Sequence, residues 1–411
     1  MKYLLVIGDG MADDPIPELD GKTPIEYVKT PAMDAISSAG VIGEVLTVPE
    51  DMPAGSDPAI LSIFGYDPKQ YLSGRAPLEA AAMDIPLKPG DIAFRCNVVT
   101  FEDGDMPFSE KKILSHSAGS IEGDISDKLI EVLMSNPEFA KMLQDIGMKI
   151  YPGNTFRHIA VCGQGGEFFK DLITFPPHDH IGESLGQYLP QNVEQLVKIM
   201  KLAFDILDKH PINLKLRDEG KMPGNGIWFW AEGNAVELPA FYEKYQKTGA
   251  VISAVPLCHG IGVMIGLKKV TVEGATGELY TNYEGKVAAA MEALETLDFA
   301  TVHIEAPDEC SHNGILEDKL LAIEWVDSRV VAPLVSKLRD KKIDFRMMVI
   351  SDHRTLLATR GHDGGPVPYA IYDSRFDNKT GIAFSESTAA ENKDNYLSDG
   401  TKLMGMLFSN D

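Results

Sequence analysis

The sequence predicts an α/β protein built on a mostly parallel sheet, with a smaller α/β domain inserted into it. Three observations carry this. Apolar, strand-like runs alternate with helical patterns at both ends of the chain, the order that a parallel sheet with crossover helices requires. Two of those runs end directly on polar turns, Gly8-Asp9-Gly10 and Ser351-Asp352-His353, and sites in open α/β sheets form at such strand ends. A length of 411 residues is long for one core, so two domains are the default. Because the polar strand ends lie at opposite ends of the chain, the middle reads as the insertion. Residues 1–87 with 241–411 form a discontinuous catalytic domain, and 88–240 form the inserted one.

The elements follow in order. Tyr3–Ile7 is a buried strand leading into Asp9. Thr30-Pro31 opens a helix through Met33, Ile36 and Ala39, with Pro at an early helical position and Gly40 closing it. A strand is expected over 41–48. Pro53–Pro58 then forms a turn before the apolar run Ala59–Phe64, which puts Ser56 near a helix N-terminus. Residues 92–100 read as a strand, and 125–143 and 193–207 as helices. The loops between are rich in Pro, Gly and His, as at Thr174–His178. The chain returns near 238–246. A strand at 251–255, a helix or strand at 261–265, a helix at 287–297 and a strand at 299–304 lead up to Asp308. A long amphipathic helix is expected over 320–338, and the apolar run Met347–Ile350 precedes Asp352-His353.

Composition excludes several functions. Apolar content of 44% and charged content of 24% are ordinary for a globular chain, but the net charge is −23. That argues against nucleic acid and anionic membranes as partners, both of which need clustered Lys and Arg. A small anionic substrate stays compatible, because a few Arg with bound metals make one positive pocket. Cys96, Cys162, Cys258 and Cys310 are far apart and form no C-x-x-C pair, so free thiols in a reducing cytoplasm are expected. The opening apolar run is too short for a signal peptide, and no stretch approaches a membrane span.

Seven residues carry chemistry: Asp9, Ser56, Asp308, His312, Asp352, His353 and His362. Asp308 and His312 are spaced i, i+4 and share a helical face. An isolated Asp-His after a strand reads as a surface turn; with a helical Asp/His pair and a nearby His362 it reads as a metal site. Carboxylates mixed with imidazoles suit Mn²⁺, Zn²⁺ or Fe²⁺ better than Ca²⁺. We expect two divalent ions, Mn²⁺ first, with Zn²⁺, Mg²⁺ or Fe²⁺ as alternatives. Ser56 alone is usually a helix cap. Beside a metal that lowers its hydroxyl pKa it becomes a nucleophile without a Ser-His-Asp arrangement. The glycine runs at 163–167 and 274–277 fit no nucleotide fingerprint, and Trp228-Phe229-Trp230 reads as a buried strand. No role is assigned to His116, His178, His180 or His259.

At these residues the chain resembles the cofactor-independent phosphoglycerate mutases, archaeal-type branch, of the alkaline phosphatase superfamily. The stretches that carry it are Gly8–Asp13, Thr30–Asp34, Pro53–Asp57 running to Leu61–Pro68, Ser73–Ala80, Ala93–Asn97, Ala306–His312 and Ser351–His353. The resemblance implies an alkaline-phosphatase-like fold and an isomerase that passes a phosphoryl group through Ser56. Asp9, Ser56, Asp352 and His353 would hold one metal, and Asp308, His312 and His362 the other. The inserted domain would carry substrate contacts, with Arg75 and Arg95 as anion clamps. The substrate would be a small phosphorylated metabolite, 3-phosphoglycerate, converted to 2-phosphoglycerate. Two departures stand out. Where this branch carries Asp-Arg-Arg-Ala-Gly-Arg, the chain has Leu114–Ser120, and where it carries Lys-Gly-Ile the chain has His259-Gly260-Ile261. A bacterial subgroup proposed to phosphorylate homoserine shows a similar Ser-Ala-Gly, so a homoserine kinase-like phosphotransferase is the alternative.

Overall fold

The strands are β1 (Lys2–Gly8), β2 (Val41–Val45), β3 (Ile92–Phe101), β4 (Ile113–Ser115), β5 (Met148–Tyr151), β6 (Arg157–Cys162), β7 (Gly226–Asn234), β8 (Gly249–Ile252), β9 (Lys268–Val270), β10 (Phe299–Ile304), β11 (Phe345–Ile350), β12 (Arg354–Leu356), β13 (Gly361–Asp363) and β14 (Val367–Asp373), the central ones being runs of β-branched and apolar residues. They belong to a computed structural model that describes residues 1–153, 155–376 and 379–409. The chain divides into two units, Met1–Leu72 with Leu238–Asp411, and Ser73–Glu237. None of the described helices is long and apolar enough to cross a membrane.

The first unit holds a seven-stranded sheet in the order β2-β14-β11-β1-β10-β8-β9. The pairings from β11 through β9 are parallel, while β14 runs antiparallel to β11 and to β2. The central strands are buried along their length, as expected where helices cover both faces of a parallel sheet. On one face, Leu4, Val6, Val302 and Val349 join a core closed by the helices Pro31–Ala39, Tyr283–Thr296 and Leu316–Trp325.

The second unit is an antiparallel sheet, β4-β3-β6-β5, with β7 also paired to β3. All ten residues of β3 are buried. The helices Gly123–Ser135, Pro137–Asp145 and Glu194–Leu207 pack on one face. On the other, Ala76 and Ala80 of the helix Arg75–Ala82 meet Ala93, Ile159 and Val161. This contact moves the first boundary from the expected 87/88 to 72/73: the segment that reads as the tail of the first domain packs in the second.

Two expected helices are each divided. The helix expected over 125–143 stops at Ser135 and restarts at Pro137, with the Asn136 side chain accepting from the N–H groups of Glu138 and Phe139. Proline cannot donate within a helix and restricts the residue before it, so Asn-Pro ends one helix and caps the next. The helix expected over 320–338 widens into a π-turn over Val326–Val331 before Ala332–Asp340. Pro333 lacks the N–H that a continuous ladder needs, and a π-turn absorbs the fault. The widened turn carries Asp327, whose carboxylate accepts the Met33 N–H at 2.7 Å and so caps the helix Pro31–Ala39. β2 ends at Val45, short of the expected 48. The expected strand at 251–255 is Gly249–Ile252, and residues 261–264 lie in the helix Pro256–Met264.

Candidate active site

Three parallel strands bring the site together. Register puts Ile7 beside both His303 and Ile350, and Gly8 beside Ile304, so β1, β10 and β11 end at one level. Asp9 follows β1 and Asp352-His353 follows β11. The helix Ala306–Asn313 follows β10 and carries Asp308 and His312 on one face. The hairpin β12–β13 sets His362 opposite Thr355. Ser56 is the first residue of the helix Ser56–Ile63. Gly55 occupies the cap position, and the Ser56 Oγ lies 3.0 Å from His353 Nε2 instead of capping the helix.

Two sets of donor atoms converge. His353 Nε2 is 3.4 Å from Asp9 Oδ1 and 3.4 Å from Asp352 Oδ2. Those two carboxylate oxygens are buried and, among the described residues, have no hydrogen-bond partner. Their sister oxygens are occupied. Asp352 Oδ1 accepts from the N–H groups of Gly10 and His353 at 3.1 and 2.8 Å, and Asp9 Oδ2 lies 3.0 Å from His303 Nε2. In the second set, Asp308 Oδ2 is 3.2 Å from His312 Nε2 and Asp308 Oδ1 is 3.4 Å from His362 Nε2. The two imidazole nitrogens are themselves 2.9 Å apart. The His312 Nδ1–H donates to the Arg360 carbonyl at 2.9 Å, which leaves Nε2 as the atom facing its neighbours. Thr355 joins the sets: its hydroxyl donates to Asp308 Oδ1 at 2.6 Å and accepts from His353 Nδ1 at 3.1 Å.

The electrostatics are those of a site short of positive charge. Burial, then the Asp352 and Asp308 carboxylates, push Asp9 well above the usual carboxylate range. Burial would raise Asp308 as well, but the hydrogen bonds of His312 and His362 outweigh it and hold its carboxyl far down. Asp308 in turn lifts His312 to about 9. Burial lowers His353 and takes His303 down to about 3. A buried acceptor left without a donor costs about 1–3 kcal/mol, and a bound cation removes that penalty while reversing the shift at Asp9. Ligand atoms of Asp9, Asp352 and His353 lie within 4.8 Å of one another, as do those of Asp308, His353 and His362. Two buried carboxylate oxygens facing one imidazole nitrogen fit a divalent cation.

A family model described as 2,3-bisphosphoglycerate-independent phosphoglycerate mutase matches residues 37–213. A relative from Methanosarcina acetivorans, a 2,3-bisphosphoglycerate-independent phosphoglycerate mutase by name, is 44% identical over 99% of this chain and 99% of its own. The chain belongs to this mutase family. A solved structure of a Pyrococcus horikoshii protein aligns with a TM-score of 0.79 and 27% identity over 100% of this chain and 98% of that one. The cofactor-independent phosphoglycerate mutase of Thermoplasma acidophilum shares the fold at a TM-score of 0.64 and 24% identity, over 99% of each chain.

The remaining residues singled out in this mutase-family chain lie mostly in the second unit. Arg95, on β3, is buried in a two-point ion pair with Glu79, with its Nε 3.0 Å from Oε2. Its guanidinium lies 4.7 Å from the centre of the Trp230 ring, and its charge is thereby matched within the unit. Arg75 opens the helix Arg75–Ala82. Both lie close enough to Arg157 to lower its pKa, after burial. The segment in place of the Arg-rich stretch is a serine turn, in which Ser115 Oγ accepts the Gly119 N–H at 2.9 Å. His116 and His178 pack ring to ring at 5.8 Å, and His178 lies 5.3 Å from Trp230. His180 stacks on Tyr188 at 3.6 Å. In the first unit, His259 is buried in the helix Pro256–Met264 with Nε2 3.2 Å from the Val270 carbonyl.

Sequence reasoning missed His303, Thr355 and Lys319. His303 sits in an apolar strand and reads as core. The available signal is an imidazole one residue before the end of an apolar strand that leads into the Asp308 helix. Lys319 is fully buried, donating to Asp13 Oδ2 at 2.8 Å and to the Thr355 carbonyl at 2.7 Å.

Proposed function

We propose that this chain interconverts 3-phosphoglycerate and 2-phosphoglycerate, with Ser56 as the phosphoryl carrier. The observation that carries the reading is Ser56 Oγ at the start of a helix, 3.0 Å from His353 Nε2, the nitrogen that also lies 3.4 Å from each of the two orphaned carboxylate oxygens. Asp9, Asp352, His353 and Ser56 would hold one divalent ion, and Asp308, His312 and His362 the other. When bound, the ions supply charge stabilisation for phosphoryl oxygens and lower the pKa of the serine hydroxyl.

The chain's own residues do the rest. Ser56 Oγ attacks phosphorus; the bond from phosphorus to the C3 oxygen breaks, and glycerate leaves with the proton released by the serine. The C2 hydroxyl then attacks the phosphoserine, the P–Oγ bond breaks, and Ser56 recovers a proton. Splitting the transfer into two displacements lets one set of fixed groups serve both. The helix at whose first residue Ser56 stands favours the negative charge of the phosphoserine. Thr355 fixes the imidazole of His353 and the carboxylate of Asp308 in one orientation.

The test is direct. Metal-reconstituted protein given 3-phosphoglycerate should form 2-phosphoglycerate, and quenched protein should carry one phosphate on Ser56. Ser56→Ala should abolish both while keeping the wild-type circular dichroism spectrum. Turnover by the Ser56→Ala variant would overturn the reading.

A second reading, transfer to the hydroxyl of homoserine, is favoured by one observation. Arg95 is matched by Glu79 and the 114–120 turn presents serines, so fewer cations are left for a doubly anionic substrate. Phosphohomoserine formed from homoserine and a phosphoryl donor, with no 2-phosphoglycerate from 3-phosphoglycerate, would decide for it.

A further inference from the structure

We propose that His303 is a positioning residue that selects which oxygen of Asp9 is offered to a cation. The inference rests on reading the Asp9, Asp352 and His353 group as a cation site. Four residues make a chain beneath that group. The Val255 N–H donates to Ser253 Oγ at 2.9 Å, Ser253 Oγ lies 3.2 Å from His303 Nδ1, and His303 Nε2 lies 3.0 Å from Asp9 Oδ2. Ser253 and His303 are fully buried and Asp9 nearly so. The strand is held in place from behind, where the buried Lys286 donates to the His303 carbonyl at 3.0 Å.

The direction of the chain follows from donor inventory. With a cation bound Asp9 is ionised, and an ionised carboxylate only accepts, so the Nε2–H of His303 then points at Asp9 Oδ2. Its Nδ1 is then an acceptor, and the Ser253 hydroxyl donates to it while accepting from Val255. Each link uses one donor and one acceptor, which leaves a single tautomer. Asp9 Oδ2 is thereby engaged, and Oδ1, the orphaned oxygen, faces His353 Nε2. A carboxylate held by a hydrogen bond at one oxygen is biased to offer the other to a cation. Groups that orient a ligand in this way alter metal affinity by roughly 10–100-fold when removed.

The experiment measures binding, with activity as a secondary readout. In a His312→Ala, His362→Ala background, which removes both imidazoles that face Asp308 alone, full-length protein is stripped of metal and titrated with Mn²⁺, free ion being followed by electron paramagnetic resonance. His303→Leu should weaken the remaining site by roughly 10–100-fold. His303→Gln places an amide N–H near the Nε2 position and should stay within about threefold of the parent, since the donor to Asp9 survives. A second titration in an otherwise wild-type background should show the Asp308 set unaffected by His303→Leu. A role in packing alone would not be rescued by Gln, nor spare the other site. Equal affinity in parent and His303→Leu, or equal loss in Leu and Gln variants, would overturn the proposal. A parent that binds no Mn²⁺ at the Asp9 set would instead sink the cation-site reading on which it rests. Should His303→Leu fail to fold, Ser253→Ala decides. It frees Nδ1 and should weaken binding roughly 2–10-fold, the worth of one hydrogen bond; unchanged affinity there would overturn the idea.

Discussion

Replacing Lys319 with methionine tests how the site is anchored. The ammonium is fully buried and joins Asp13, in the loop after β1, to the carbonyl of Thr355 in the β12–β13 hairpin, at 2.8 and 2.7 Å. Removing one partner of a buried ion pair destabilises by about 3–5 kcal/mol, because the other charge is left behind. Asp13 keeps two donors, the N–H of Leu357 at 3.1 Å and its neighbour Asp14's N–H at 2.8 Å. That places Lys319→Met near the lower end, about 3 kcal/mol. The pair as a whole is a different matter. The Lys319 pKa is lowered, burial outweighing the attraction of Asp13, so the ion pair does not recover what its desolvation costs. Lys319→Met with Asp13→Asn removes both charges and should return to within about 1 kcal/mol of wild type. Urea unfolding of metal-free protein, followed by far-UV circular dichroism, reads both values. An unchanged midpoint in the single variant, or a double variant as unstable as the single, would refute the reasoning.

Three further outcomes are expected. Thr355→Val keeps shape but strips the hydroxyl shared by Asp308 and His353, and should weaken divalent-metal binding roughly 10–100-fold in a chelator competition assay; unchanged affinity would show that the hydroxyl is dispensable. His312 is raised to about 9 by Asp308 in the metal-free protein, so a cation must expel a proton there even at pH 8. Calorimetric titrations in buffers of different ionisation enthalpy should detect that proton at pH 8 and lose it in His312→Ala; no proton release from wild type would contradict this. Glu386 is raised to about 7, chiefly by burial. The folded state therefore binds more protons than the unfolded state between the ordinary value of 4.5 and about 7, and the contribution of Glu386 to stability falls as pH rises through that window. Glu386→Gln should flatten the slope of urea midpoint against pH between 5 and 7, and an identical slope would rule out Glu386 as its source.

The strand-end residues were legible because their surroundings are. Asp9 and Asp352-His353 close apolar runs long enough to be strands only, and the i, i+4 spacing of Asp308 and His312 states their shared face. Ser56 was legible as a helix start, but the partner of its hydroxyl was not. His303, Thr355 and Lys319 were invisible for one physical reason. Their roles exist only through pairing with residues tens to hundreds of positions away, and a buried polar side chain looks like any other until its partner is placed. The same limit hid Glu79, which turns Arg95 from a free clamp into half of an ion pair. The two divided helices had a readable signal, since Pro137 and Pro333 stand inside the expected spans, and apolar periodicity masked it. The boundary at 72/73 depends on two small side chains, Ala76 and Ala80, meeting β3 and β6, which no composition shift announces.

The place of β1 in the sheet dictates an order of assembly. It is the first strand made, yet it is hydrogen-bonded between β10 and β11, which leave the ribosome last but for β12–β14. At about 5–20 residues per second, roughly 17–70 s separate Asp9 from Asp352. The second unit is one uninterrupted stretch, Ser73–Glu237, and every strand it needs is present before the partners of β1 exist. Nascent chains stalled near residue 300 should thus protect the second unit from protease and leave Tyr3–Ile7 exposed. For all of that interval a run of five apolar residues waits without a neighbour on either side, and the candidate site is complete only once the β12–β13 hairpin has been made.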